Sequence, residues 1–165
     1  MSIKGGGIMT QFKITDVRVK YAVTSTGTTV YIDGLGVGEN LNTSANPTRA
    51  ALMLAVFNSG RDCYWDSDAQ ALVTSPIPYS VVGAESPLAN GRVTSWDVRI
   101  PITGDIEYLA SLLGADEHRQ TSGNAAAGWM TVKTNEQHAC VVFTILSSRY
   151  CTYQNGLLRN TDIVQ

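Results

Sequence analysis

The sequence predicts an α+β fold: a mostly antiparallel sheet, able to curl toward a barrel, with two helices packed against it. Three observations carry this. Val17, Val19, Tyr21 and Val23 alternate with Arg18, Lys20 and Ala22, and Val93, Trp96, Val98 and Ile100 mark a second alternating stretch, the period of half-buried strands. Residues 47–58 form an apolar segment with helix boundary signals at both ends. Ile106, Leu109, Leu112 and Leu113 recur at helical spacing. A chain of 165 residues accommodates one domain that buries roughly 70% of its unfolded surface, so one sizeable core is expected. The expected organisation is a flexible leader over 1–10, containing Gly5-Gly6-Gly7, and a single globular domain over 11–165 with a tail from about residue 159.

Residues 14–33 read as a hairpin turning at Thr24–Gly27. Residues 34–46 read as a long polar loop, and loops of that length are usually functional or in contact with a partner. The helix over 47–58 has Asn46 to cap it, Pro47 at its first position and Gly60 to close it. Leu52, Leu54, Ala55, Val56 and Phe57 make it apolar nearly all round, which predicts a largely buried helix. Cys63-Tyr64-Trp65 and Ala71-Leu72-Val73 read as short strands around the Asp66-Ser67-Asp68 turn. Residues 77–82 read as an edge strand because of their prolines, and 92–102 as an alternating strand.

A second helix is expected from about Asp105, with Asp105 and Glu107 at the positive end of its dipole. Residues 115–128 read as a polar connection. Trp129–Lys133 and His138–Leu146 read as a hairpin around Thr134-Asn135-Glu136. Residues 139–146 are almost continuously apolar, as in a strand buried on both faces. Tyr150–Tyr153 and Leu157-Leu158, around Asn155-Gly156, read as a last hairpin. The rough order is ββαββ, then ββαββ, then the C-terminal hairpin. Trp65 and Trp129 both open a strand after a helix, but the spacing between would-be counterparts drifts and no residue pattern repeats, which argues against internal duplication.

Composition narrows the function classes. Charged residues are only 16%, so Thr, Ser, Asn and Gly fill the surface, which suits large buried contacts as well as a plain turn-rich domain. Net charge is −2 with no Lys or Arg run, which argues against nucleic-acid binding. No run is long and apolar enough for a membrane span, and no signal peptide is read at the start, so a cytoplasmic or particle-associated protein is expected. Cys63, Cys140 and Cys151 match no metal or redox spacing and read as buried free thiols, with a Cys140–Cys151 pair as the alternative.

The glycine loop resembles a phosphate cradle only in outline. A dinucleotide fingerprint starting at Gly34 would need glycine where Glu39 stands, and one starting at Gly36 would need it at Leu41. The helix also begins too far beyond Gly38, and no Gly-Lys-Ser/Thr follows. Gly34, Gly36, Gly38, Glu39 and Asn40 are therefore expected to face a partner. Trp65, Asp66 and Asp68 place carboxylates beside an aromatic ring, a sugar-site arrangement that also occurs at ordinary turns. His118, within Asp116-Glu117-His118-Arg119, and Trp129 complete the candidate contact residues. His138 and Cys140, two apart on the expected strand, would share a face. No catalytic set, metal site or cofactor is expected, and an enzyme is not favoured. The expectation is a non-enzymatic, self-associating binding or structural protein, a homo-oligomer with room for another protein partner, such as a subunit of a larger phage or viral particle. The alternative is a small enzyme or ligand-binding domain with an apolar cavity between sheet and helices, lined by Trp65, Trp96 and Trp129.

Overall fold

The structure is a computed structural model that describes residues 11–34, 40–44, 46–74, 91–112, 129–154 and 156–160. The leader, the expected edge strand at 77–82, the connection 115–128 and residues 161–165 of the expected tail lie outside them. The described chain divides into two units. Residues up to 74 together with 99–106 make unit 1. Residues 91–98 and those from 107 onward make unit 2.

In unit 1, β1 (Gln11–Ala22) and β2 (Gly27–Gly34) form the expected antiparallel hairpin, with Val17 opposite Ile32 and Val19 opposite Val30. One extra residue in β1, between Ile14 and Asp16, shifts the register. The expected loop over 34–46 is partly strand, because β3 (Asn40–Ser44) pairs with β2. α1 (Pro47–Asn58) starts where its signals put it: the Asn46 side chain accepts the Arg49 N–H at 2.7 Å, and Gly60 takes φ 90° after the C-terminal end. α1 packs on β1 and β2, burying Ala50, Leu52, Met53 and Val56, while Leu54, Ala55 and Phe57 stay half-buried. β4 (Tyr64–Asp66) pairs with the start of β1, and β5 (Ala71–Val73) pairs with β4. Arg99–Pro101, the end of β6 (Gly91–Pro101), covers the other edge of β5. The buried Arg49 guanidinium donates to the carbonyls of Pro101 at 2.6 Å and Gly104 at 2.7 Å.

In unit 2, the start of β6 pairs with β9 (Thr152–Gln154), and β9 pairs with β10 (Leu157–Arg159), the expected C-terminal hairpin. β7 (Ile106–Leu112) pairs with β6 and with β8 (Trp129–Thr134). α2 (Glu136–Leu146) lies against β6 and β7. The Phe143 ring meets Trp96 edge-on at 5.6 Å, and the Tyr108 hydroxyl donates to the Ala139 carbonyl at 2.8 Å. Among the described residues the strands of neither unit close into a barrel.

Two expected elements are corrected. Residues 106–112 are a strand, not a helix: Ile106, Tyr108, Leu109 and Ala110 are all buried, so both faces of the strand are covered and the apolar run carries no usable period. Residues 136–146 are a helix, not a strand. Asn135 is its N-cap, accepting the His138 N–H at 3.0 Å, and Glu136 sits favourably in the first turn. The α+β class and the two helices survive because the errors exchange one helix for the other.

With both corrections the element order among the described residues is βββαββ, twice. The pairings repeat too: within unit 1 the strands run β5-β4-β1-β2-β3, and within unit 2 β10-β9-β6-β7-β8. Details coincide. The Ile14 N–H donates to the Cys63 carbonyl at 2.8 Å, and the Val93 N–H to the Cys151 carbonyl at 2.8 Å. Lys13 lies opposite Tyr64 as Arg92 lies opposite Thr152, and Trp65 faces Leu72 as Tyr153 faces Leu158. Asn46 and Asn135 cap the two helices, Ser59 and Ser147 end them, and Gln70 and Gly156 both take positive φ before the last strand of each set. The reading against internal duplication fails at the level of architecture.

Candidate functional site

Six of the ten residues singled out from sequence lie among the described residues. Gly36, Gly38, Glu39 and His118 lie outside the described residues. Gly34 ends β2 opposite Ile14, where a Cβ would overlap the Phe12 ring, so this glycine serves close packing. Asn40 opens β3 opposite Asp33, and Trp129 opens β8. Trp65 is 1% exposed, between Phe12 and Leu72 on the neighbouring strands, and is a core residue. Asp66 is buried and organises the turn after it. One carboxylate oxygen accepts the N–H groups of Asp68 and Ala69 at 3.0 and 3.1 Å, and the other accepts from the Gln11 amide at 2.9 Å. That is a backbone-bonding role, the turn alternative for this cluster. Asp68 is exposed on the turn.

His138 and Cys140 sit on a helix, where residues two apart point about 200° from each other, so they share no face. All three cysteines are free thiols. Burial pushes the Cys63 and Cys151 thiols up to about 11, and burial followed by the Glu136 carboxylate raises Cys140, so none is primed as a nucleophile. Among the described residues no three metal-binding side chains cluster, and no helix is long and apolar enough to cross a membrane. An open cleft of about 390 Å³ lies in unit 1 between the start of β1 and the segment after α1. Lys13 and Asp62, paired at 3.4 Å, stand on its rim and both are largely solvated, so the pair stabilises little.

What the structure does expose is strand edge and apolar side chain together. Beyond Lys13, the edge of β1 that faces β4 at its start has no partner among the described residues at Lys20–Ala22. The outer edge of β10 has none either. Among the described residues the large exposed apolar side chains fall at or near these places: Tyr21 is 51% exposed, Val23 80% and Leu157 57%, with Val141 on α2 at 58%. An unpaired edge presents a row of free N–H and C=O groups, and apolar residues along it favour pairing with another strand. Sequence reasoning assigned Tyr21 and Val23 to a strand face without marking them as a site. Alternation locates a face but does not say whether anything covers it. Comparison with protein-family models, with curated proteins and with solved structures finds no match for the chain.

Proposed function

We propose that the protein is a non-enzymatic, self-associating structural protein, a subunit of a larger particle such as a phage or viral one. The observation that supports this reading is the coincidence of strand edges that have no partner among the described residues with Tyr21, Val23 and Leu157, three exposed apolar residues that a monomer gains nothing by displaying. A chain with only 16% charged residues adds support, because fewer ions must be stripped of water when such surfaces meet. Strand-edge pairing supplies directional backbone hydrogen bonds, and the apolar residues supply area removed from water. The test is light scattering coupled to size exclusion, from nanomolar to tens of micromolar chain. The expected result is a mass that grows with concentration, and a strict monomer throughout overturns the proposal.

A further inference from the structure

We propose that the outer edge of β10 pairs with Lys20–Ala22 of a second copy, antiparallel and in the register that β5 uses with Arg99–Pro101, so that copies join head to tail. This rests on the self-association proposed above and gives it a partner and a register. The repeated architecture supplies the template. β10 is the counterpart of β5, and the end of β1 is the counterpart of the end of β6. In unit 1 Ala71 lies opposite Pro101, Leu72 opposite Ile100 and Val73 opposite Arg99, and the Ile102 N–H donates to the Gln70 carbonyl at 2.9 Å. Carried over, Leu157 faces Ala22, Leu158 faces Tyr21 and Arg159 faces Lys20 of the next copy, and its Val23 N–H reaches the Gly156 carbonyl.

Burial singles out the same surface. Tyr21 is 51% exposed, while its counterpart Ile100 is fully buried. Leu157 is 57% exposed against 0% for Ala71, and Val141, counted from its helix cap, is 58% exposed against 2% for Leu52. Val23 corresponds to Ile102, which is half-buried. Among the described residues, every large apolar side chain that stands exposed therefore has a counterpart that is covered at least in part. His138, exposed at the third position of α2, corresponds to Arg49, whose guanidinium holds the carbonyls of Pro101 and Gly104. A contact that joins one patch to a different patch on the next copy does not pair a surface with itself, so it builds rings or filaments.

The test is heterotypic disulfide trapping in a Cys140→Ser background. One chain carries Tyr21→Cys and the other Leu158→Cys, residues that would stand directly opposite, within disulfide reach. Arg18→Cys, roughly 10 Å further along the strand, replaces Tyr21→Cys in the control. A disulfide-linked dimer forming at least tenfold faster in the first mixture than in the control is expected. Equal rates in chains that still associate overturn this pairing and leave self-association standing, and a strictly monomeric wild type overturns both. Leu157→Lys, at an exposed position, gives a check that needs no trapping. It weakens association at least tenfold if the edge is used, and wild-type association overturns the pairing.

Discussion

Replacing Arg49 with Met removes a buried polar contribution in unit 1. The guanidinium is 4% exposed and donates to two carbonyls, Pro101 at 2.6 Å and Gly104 at 2.7 Å, which fixes the turn after β6 against the N-terminal turn of α1. A hydrogen bond from a charged donor contributes about 1.5–3 kcal/mol, so losing both would cost roughly 3–6 kcal/mol if nothing compensated. Two effects reduce that. Met keeps most of the apolar stem packing, and it removes the cost of holding a cation away from water. The net loss expected is therefore about 2–3 kcal/mol. With a urea dependence of about 2 kcal/mol per molar, the unfolding midpoint falls by about 1–1.5 M. Equilibrium urea unfolding followed by tryptophan fluorescence measures it, at a concentration low enough that association does not add to stability. Arg49→Lys retains the charge but not the two-pronged geometry, and should fall between. A Met variant within 0.5 kcal/mol of wild type refutes the claim that these hydrogen bonds hold the turn.

Gly34→Ala puts a methyl group into the Phe12 ring and should destabilise by about 1–3 kcal/mol in the same assay. Adding Phe12→Leu should recover part of the loss, and an additive outcome would show that the two residues do not crowd each other. The buried thiols predict a pH dependence. Cys63 and Cys151 are raised from about 9 to about 11, so the fold favours their protonated form. That contribution is fully present below pH 9 and is lost as pH rises from 9 toward 11. Cys63→Ala should flatten the stability profile in that window. In native protein at pH 8 both thiols should react with an alkylating reagent far more slowly than in unfolded chain, which mass spectrometry of the labelled sites would check.

Much of unit 1 is legible in the sequence because its signals are local. Asn46, Pro47 and Gly60 bracket α1, and the Val17–Val23 alternation with its turn specifies the first hairpin. Unit 2 was misread where burial erases periodicity. Ile106, Tyr108, Leu109 and Ala110 are buried on both faces of a strand, so apolar residues at helical spacing were accidental. Residues 139–146 lack polar interruptions, and the deciding signal was Asn135 as a cap, read instead as a turn residue. Those two errors displaced the second helix and hid the repetition that Asn46 and Asn135, and Cys63 and Cys151, would have marked. The candidate edges were harder still. Whether Tyr21 or Leu157 is covered depends on which strand ends beside it, a property of the pairing order rather than of any local pattern.

The self-association account is tested most directly by complementation between edge variants in a sedimentation experiment. Tyr21→Lys damages the β1 edge and leaves β10 intact, and Leu157→Lys does the reverse. Each variant alone should sediment as a monomer, because a head-to-tail contact needs both edges. An equimolar mixture should form a dimer that grows no further, since one undamaged pair of edges remains between the two chains and both outer ends are blocked. Single variants that assemble like wild type, or a mixture that stays monomeric while wild type assembles, would contradict it.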